Sequence, residues 1–175
     1  MSKSAAEREA RGRAGEFRVA SELCRRKFFA ALAMGNVPNV DVLCTNSEAN
    51  AAICIQVKTF RAYEKTCIVG KNAEKDYGPN FMWVLAGLRD EKHDSCEESF
   101  YIIPPDVMAR NVRRMHRKWA VTVGKAGNVH DEKCSIRKVR FGDVGKRGIF
   151  MFDVSDYKDR WDLIEKALRK TSEAK

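Results

Sequence analysis

Two segments in the first half of the chain show the apolar and polar alternation of β-strands. In residues 40–45 and 51–60 apolar side chains recur at alternate positions, and turn-forming residues separate the two segments. On the second segment Gln56 and Lys58 are two residues apart, so both side chains project from the same face. If the strands pair around the turn, Asp41 lies on the neighbouring strand close to their level. The pattern therefore predicts a hairpin with polar side chains that a purely structural hairpin does not need.

The rest of the chain predicts a helix, then several strands, then strands alternating with helices. The first helix covers residues 4–33, which are rich in Ala, Glu and Arg, and it ends at a cluster of Gly, Asn and Pro. This order predicts an α/β or α+β layered structure with a mixed central sheet. Further strands are predicted at residues 67–69, Phe81–Leu88, Ser99–Ile103, 119–123 and 148–154, and further helices at residues 105–117 and 156–170.

The first helix carries an apolar stripe that predicts its buried face. Apolar residues recur at three- and four-residue steps from Ala14 and Phe17 onwards, whereas residues 1–12 lack such a stripe and are expected to fray. Gly15 interrupts the pattern, although a glycine destabilises a helix by about 1 kcal/mol relative to alanine. We therefore expect Gly15 to allow another backbone to approach closely. Glu16 lies at the edge of the buried face and can point inward; a solvated glutamate is the alternative.

Length and composition indicate one globular domain. The chain has 175 residues, 44% hydrophobic and 33% charged, which is enough for one sizeable core and little for two. We therefore expect residues 1–175 to form one domain. No segment approaches the roughly 20 apolar residues that cross a bilayer, and the charged N-terminus lacks the apolar region of a secretory signal. These features predict a cytoplasmic protein with no membrane partner.

Neither the cysteines nor the histidines have the spacing of a zinc site. The six cysteines include no Cys-x-x-Cys pair, so we expect reduced thiols. The three histidines lie in charged surroundings without the spacing of a metal-binding helix. Surface positions are the expectation for each of them.

The positive charge favours a polyanionic partner. The formal net charge is +9 and the isoelectric point is near 9.4, and residues 106–147 contain twelve Lys or Arg against four Asp or Glu. Phosphates attract such residues through counterion release, although a charged face can also serve solubility alone. Residues 124–148 are predicted to form mobile basic loops, and Trp119 is a candidate for stacking on a base. The residues expected to contact nucleic acid are Arg110, Arg113, Arg114, Arg117, Lys118, Arg137, Lys138 and Arg140.

The polar side chains of the hairpin suit the hydrolysis of a phosphodiester. This reaction needs a hard cation on the phosphate and a group that orients or deprotonates water. Asp41 offers a carboxylate, Gln56 an amide oxygen and Val57 a backbone carbonyl, and Mg²⁺ prefers such oxygen ligands. Lys58 would position the water and stabilise the anionic transition state, or act as a general base if a nearby cation disfavours its ammonium form. The structural alternatives are a polar pair on a half-exposed strand and, for Asp41, a strand-edge charge.

The order of these residues resembles the PD-(D/E)XK nuclease superfamily. Glu16 lies on the leading helix, Asp41 follows Pro38, and the triplet Gln56-Val57-Lys58 lies on the next strand. The glutamine is similar to that of the branch with Mrr-type restriction endonucleases and Holliday-junction resolvase-like proteins. The resemblance implies a single-domain, restriction-endonuclease-like α/β fold, with a mixed central sheet flanked by helices and an α-β-β-β-α-β core.

The resemblance also implies roles for four residues. Glu16, Asp41 and Gln56 would bind Mg²⁺, with Mn²⁺ as an alternative ion, and Lys58 would act at the attacking water. Two features depart from the family pattern: two residues separate the proline from Asp41, and Gln56 replaces the usual acid. Weaker binding of Mg²⁺, or greater reliance on Glu16, is the expected consequence.

The leading hypothesis is a Mg²⁺-dependent deoxyribonuclease, an endonuclease that hydrolyses phosphodiester bonds in duplex or branched DNA. The glutamine motivates the alternative of a non-cleaving nucleic-acid-binding or assembly protein on the same fold. The apolar strand Phe81–Leu88 would also favour a homodimer if it lay at a sheet edge.

Overall fold

Five strands form a mixed sheet at the centre of the protein. The computed structural model describes residues 4–33, 37–90, 93, 95–123, 127, 130, 131 and 133–173. The strands are β1 (Phe29–Leu32), β2 (Val42–Thr45), β3 (Ala52–Arg61), β4 (Thr66–Ile68), β5 (Phe81–Leu88), β6 (Ser99–Ile103), β7 (Lys138–Arg140) and β8 (Phe152–Asp153). The central order is β1-β2-β3-β5-β6, and β4, β7 and β8 form a second sheet. Within the central sheet β3 and β5 are parallel, and the other neighbours are antiparallel.

Helices cover both faces of the central sheet, as the α/β prediction requires. They are α1 (Ala5–Arg25), α2 (Pro105–Ala120) and α3 (Asp162–Glu173). Apolar residues of α1 and α3 form one core against one face, and apolar residues of α2 and the small sheet form a second core against the other. The predicted mixed sheet flanked by helices is confirmed. One detail differs from the predicted α-β-β-β-α-β core. That order has a helix in the connection between β3 and β5, whereas the structure has β4 and a 3₁₀ turn (Lys71–Glu74) there.

The alternation of β3 sends its side chains to the two cores in turn, as the sequence pattern predicts. Ile53, Ile55 and Val57 pack in the core with α1 and α3, whereas Cys54 and Phe60 belong to the core with α2. The period of a strand is two, so the polar residues at positions 56 and 58 project to the α2 face.

The first helix is shorter than the predicted 4–33. Ser4 Oγ caps it by accepting a hydrogen bond from Glu7 N at 3.2 Å, so the helix begins within the segment 1–12, whose fraying stays a prediction. The helix ends at Arg25, and Lys27 has a left-handed φ of 67° that reverses the chain. The apolar residues that follow form the edge strand β1.

The predicted apolar stripe of α1 is only partly correct, because Ala20 and Leu23 pack in the core but Phe17 does not. Gly15, Val19 and Leu23 are buried, whereas Phe17 is 62% exposed. A Cβ atom added to Gly15 would lie 1.9 Å from Thr59 Oγ1 on β3. The helix therefore turns its glycine to the sheet, because only a residue without a side chain fits at this distance.

An ion-pair network lies in the C-terminal half of α1. Glu22 is 4% exposed and pairs with Arg18 at 2.7 Å, Arg25 at 3.0 Å, and Arg26. Burial raises the pKa of the Glu22 carboxyl, but the hydrogen bond from Arg26 and the other arginines outweigh burial and lower the pKa below its ordinary value. The Arg26 guanidinium also lies 4.4 Å from the ring centre of Trp161, which belongs to the core with α3.

Several boundaries in the second half differ from the sequence prediction. Residues 119–123 form no strand, because α2 continues to Ala120. The final helix begins at Asp162, after a 3₁₀ turn (Ser155–Tyr157) and a left-handed Asp159 with φ 53°. The predicted mobile region 124–148 contains β7 and a second 3₁₀ turn (Gly145–Gly148); residues 124–126, 128, 129 and 132 of it lie outside the described part.

The interior place of β5 removes the reason for expecting a homodimer. This strand lies between β3 and β6 and is hydrogen-bonded on both sides, so it offers no free sheet edge.

Within the described ranges, no helix is both long enough and apolar enough to span a membrane.

Candidate active site

The Asp41 side chain reaches Gln56 at the end of the β2 and β3 pairing. Val42 is the final paired residue at this end of β2 and lies opposite Ile55; the Asp41 backbone N–H donates to the carbonyl of this same Ile55 at 2.9 Å, so Asp41 and Val42 both lie opposite one residue, as in a β-bulge. The Asp41 carboxylate then takes the place of a further strand residue: its Oδ2 accepts hydrogen bonds from Val57 N at 2.7 Å and from the Gln56 side-chain amide. The predicted convergence of Asp41 and Gln56 is therefore present in the structure.

The Val57 carbonyl is directed to the same side as Asp41. The N–H and C=O groups of one residue in a strand face the same neighbouring strand, and the Val57 N–H faces the Asp41 carboxylate. Since β2 has its first residue at Val42, the Val57 carbonyl extends past the end of that strand. A carboxylate, a side-chain amide and a backbone carbonyl thus lie at one corner of the sheet.

Glu16 reaches the same corner from α1. Glu16 and Asp41 both line a cavity of about 300 Å³. The Glu16 side chain is 15% exposed and its Oε2 is 2.9 Å from Arg13 Nη1. Close packing of Gly15 on Thr59 fixes the height of the helix above β3, and this contact places the glutamate that follows it beside the sheet corner.

Lys58 is on the α2 face with Gln56, one strand repeat further along. Its side chain is half-buried, and within the described ranges it forms no hydrogen bond or ion pair. An ammonium group without a carboxylate partner remains available to a substrate phosphate or to a water molecule. The structure gives no contact between Lys58 and Asp41.

The oxygen-rich corner fits a hard cation in its chemistry. Glu16, Asp41, Gln56 and the Val57 carbonyl supply only oxygen ligands, which suit Mg²⁺ or Mn²⁺. Among the described residues, no group of three or more His, Cys, Asp and Glu could hold a metal ion, so a metal site at this corner would also depend on the Gln56 amide and the Val57 carbonyl. Gln56 turns its NH₂ group to Asp41, and only a half-turn of the amide would present its oxygen to an ion.

Two residues of α1 in this cavity were not identified from the sequence. Glu9 and Arg13 line it together with Glu16. The helical period of 3.6 residues places positions 9, 13 and 16 on one face, so this signal was available in the sequence. The chosen apolar stripe, with Phe17 inside, concealed it.

The predicted DNA-binding residues divide into an exposed group and a structural group. On α2, Arg110, Arg113, Arg114, Arg117 and Lys118 are exposed and line an open groove of about 680 Å³. Lys138 is also exposed.

Arg137 belongs to the structural group. It is 5% exposed, its Nε donates to Glu74 Oε1 at 2.6 Å, and its Nη1 donates to the Cys134 carbonyl at 2.5 Å. Arg140 is paired with Asp153 at 2.9 Å. These guanidinium groups hold the small sheet and its loops together, and their predicted contact with nucleic acid stays a prediction.

The ring of Trp119, predicted as a platform for bases, is already in contact with other rings. It stacks on His130 with a ring-centre distance of 4.3 Å and on His116 at 5.4 Å. The three rings line an apolar cavity with Val112 and Met115 of α2. Stacking within the protein competes with stacking on a base.

The sheet, its flanking helices and the acidic corner define a protein with a nuclease-like α/β fold. One solved structure with a similar fold is that of a bacterial homing endonuclease, I-Ssp6803I, with a TM-score of 0.57 and 15% sequence identity. The match covers 95% of this chain and 98% of that chain. No protein-family model matches the sequence, and no curated protein is significantly similar to it. The assignment to the PD-(D/E)XK superfamily and its Mrr-type branch stays a prediction.

Proposed function

We propose that this protein is a metal-dependent DNA endonuclease that hydrolyses phosphodiester bonds in duplex or branched DNA. The observation that carries the proposal is the sheet corner, where the Asp41 carboxylate accepts hydrogen bonds from Gln56 and from Val57 N and shares a cavity with Glu16. Lys58, which has no ion-pair partner among the described residues, lies on β3 beside it. A site with this combination of an acidic corner and an available lysine suits cleavage of a charged ester.

Each residue of the corner has a distinct proposed role. Glu16, Asp41, Gln56 and the Val57 carbonyl would hold Mg²⁺, or alternatively Mn²⁺, which would supply positive charge at the phosphate and lower the pKa of a bound water molecule. Lys58 holds the attacking water in line and stabilises negative charge on the phosphate oxygens. The Val57 N–H keeps the Asp41 carboxylate in one orientation, so the ligand needs little reorganisation.

The distribution of charge supports DNA as the substrate. The exposed arginines of α2 line one groove, and a net charge of +9 attracts phosphate backbones at long range. The similar solved structure is described as a homing endonuclease, and this description supports an endonuclease activity.

A cleavage assay with linear, nicked and four-way DNA tests the proposal. With Mg²⁺ or Mn²⁺ we expect cleavage by the wild type, and a loss on the order of 10²-fold or more in Asp41→Asn and in Lys58→Ala. The matched controls are Asp156→Asn and Lys158→Ala, which alter exposed residues outside the cavity and should retain the wild-type rate. Unchanged cleavage in both site variants would overturn the assignment of the site.

The hydrogen bond between Gln56 and Asp41 favours a second function. The Gln56 amide donates a hydrogen bond to the Asp41 carboxylate, which is therefore satisfied without a metal ion. A protein that binds DNA or a partner without cutting needs no metal ion at this position. Salt-sensitive DNA binding without cleavage, in either metal ion, would support this function. Gain of metal-dependent cleavage in Gln56→Glu would then identify the glutamine as the residue that separates the two.

A further inference from the structure

The segment that crosses from β4 to β5 touches the candidate active site at its beginning. Gly70, with a left-handed φ of 75°, turns the chain into the 3₁₀ turn Lys71–Glu74. Asn72 Nδ2 then donates to Asn39 Oδ1 at 2.8 Å. Asn39 is two residues before Asp41, so this amide pair ties the crossing segment to the turn that presents the carboxylate.

The far end of the same segment touches the basic face of α2. The Glu74 carbonyl accepts a hydrogen bond from Arg113 Nη2 at 2.6 Å, and the Glu74 carboxylate is paired with the buried Arg137. Asp76 lines the same groove as Arg110 and Arg113. The crossing segment is therefore a physical connection between the Asp41 corner and the arginines of α2.

The crossing segment carries two lysines that face the solvent. Lys71 and Lys75 are exposed, and within the described part of the chain neither forms an ion pair; the Lys75 ammonium lies 5.2 Å from the ring centre of Tyr77. Arg137 neutralises Glu74. The acids that line the α2 groove are Asp76 and Asp106, against four arginines and a lysine.

We infer that Lys71 and Lys75 contact the phosphates of the DNA between the active site and α2. This inference rests on the proposed function and extends it. The DNA backbone leaves the Asp41 corner, passes over the crossing segment and continues along the groove of α2. Phosphate contacts of this kind fix the register of a duplex on a protein without reading its sequence. Lys71 and Lys75 are thus positioning residues for the scissile phosphate.

Salt-dependent binding tests the inference directly. Fluorescence anisotropy with labelled duplex DNA in EDTA measures the association constant of the full chain at several salt concentrations. The slope of log K against log salt concentration is negative, and each lost phosphate contact lowers its magnitude by about 0.9. Lys71→Gln/Lys75→Gln should therefore lower the magnitude by about 1.8. The control Lys27→Gln/Lys158→Gln removes the same charge beside the two edge strands of the central sheet and should leave the slope unchanged.

The outcomes separate this inference from the proposed function. If the wild type cleaves DNA but the Lys71/Lys75 variant keeps the wild-type slope, the inference fails and the endonuclease stands. If the magnitude of the slope falls but neither metal ion supports cleavage, the contact stands and the endonuclease fails. Equal loss of slope in the control would overturn the inference, because net charge alone would then explain it. Tighter binding of an RNA duplex of equal length would overturn the assignment to DNA.

Discussion

Replacing Gly15 by alanine tests how closely α1 must lie on β3 for Glu16 to face the cavity. An alanine Cβ atom would lie 1.9 Å from Thr59 Oγ1 and 3.0 Å from Thr59 Cβ, whereas ordinary contacts begin at 3.4 Å. The helix must therefore move by about 1.5 Å, or Thr59 must leave its rotamer, at the cost expected of an overpacked core. Either change also disturbs the hydrogen bond from Thr59 Oγ1 to the Gly12 carbonyl, which measures 3.4 Å.

The two energetic effects of Gly15→Ala oppose each other. Overpacking of a core costs about 1–3 kcal/mol, and the severe overlap here favours the upper end, about 3 kcal/mol. Alanine stabilises a helix by about 1 kcal/mol relative to glycine. The expected net loss is about 2 kcal/mol, equivalent to a fall in Tm of about 4–8 °C for a chain of this size.

Gly12→Ala is the matched control on the same helix. A Cβ atom at Gly12 meets no atom within 4 Å, so only the helix effect remains and stability should rise by about 1 kcal/mol. Urea unfolding measures both variants, and cleavage by folded Gly15→Ala should fall because the helix carries Glu16 away from the cavity.

A double-mutant cycle with Thr59→Gly decides whether the overlap is the cause. Removing the Thr59 side chain should abolish the overpacking cost, so Gly15→Ala should then stabilise by about 1 kcal/mol instead of destabilising by about 2 kcal/mol. The coupling between the two positions is therefore about 3 kcal/mol. The reasoning is refuted if Gly15→Ala is as stable as Gly12→Ala. It is also refuted if the effects of Gly15→Ala and Thr59→Gly simply add.

Three further predictions concern other parts of the molecule. Arg137→Ala should cost about 3 kcal/mol in urea unfolding because it leaves a carboxylate unpaired, whereas Lys138→Ala should change stability by less than about 0.5 kcal/mol; equal losses would contradict the structural role. Burial raises the pKa of the Glu22 carboxyl, but its arginine partners outweigh burial and lower the pKa below the unfolded value. The stability that these ion pairs give to the fold is therefore complete above the unfolded pKa and is lost as pH falls through the folded pKa. Urea unfolding between about pH 5 and 3 should show a steeper loss in the wild type than in Glu22→Gln, and parallel curves would refute this. Burial, partly offset by Lys58, raises the pKa of Cys67 to about 12, so mass spectrometry after iodoacetamide treatment should find exposed Cys24 labelled well before it; equal labelling would show that Cys67 is accessible.

Strong local patterns in the sequence were sufficient to predict several strands. The bounds of Phe81–Leu88 and Ser99–Ile103 agree with the structure, because each is an apolar run followed by a charged loop or by two prolines. The two faces of β3 also agree, since the side-chain period of a strand follows from its backbone alone. The edge strand Phe29–Leu32 was assigned to the helix, because a short apolar run fits either conformation.

The buried face of α1 could not be predicted from hydrophobicity. Phe17 is the largest apolar residue near the centre of the helix, yet it is 62% exposed. The sheet selects the face with Gly15 because the helix can approach Thr59 only there. Composition likewise could not separate Arg137 from the exposed arginines of α2, since burial and pairing with Glu74 depend on how the crossing segment packs.

The sequence by itself determined the order of Asp41, Gln56 and Lys58 and the strand face that the last two share. These features follow from backbone geometry over a few residues, which every strand obeys. Only the tertiary structure decided that Glu16 lines the same cavity as Asp41, and that Asn72 and Glu74 connect this corner with α2. Such contacts join residues far apart in the chain, so they depend on which surfaces fit together when the helices pack on the sheet.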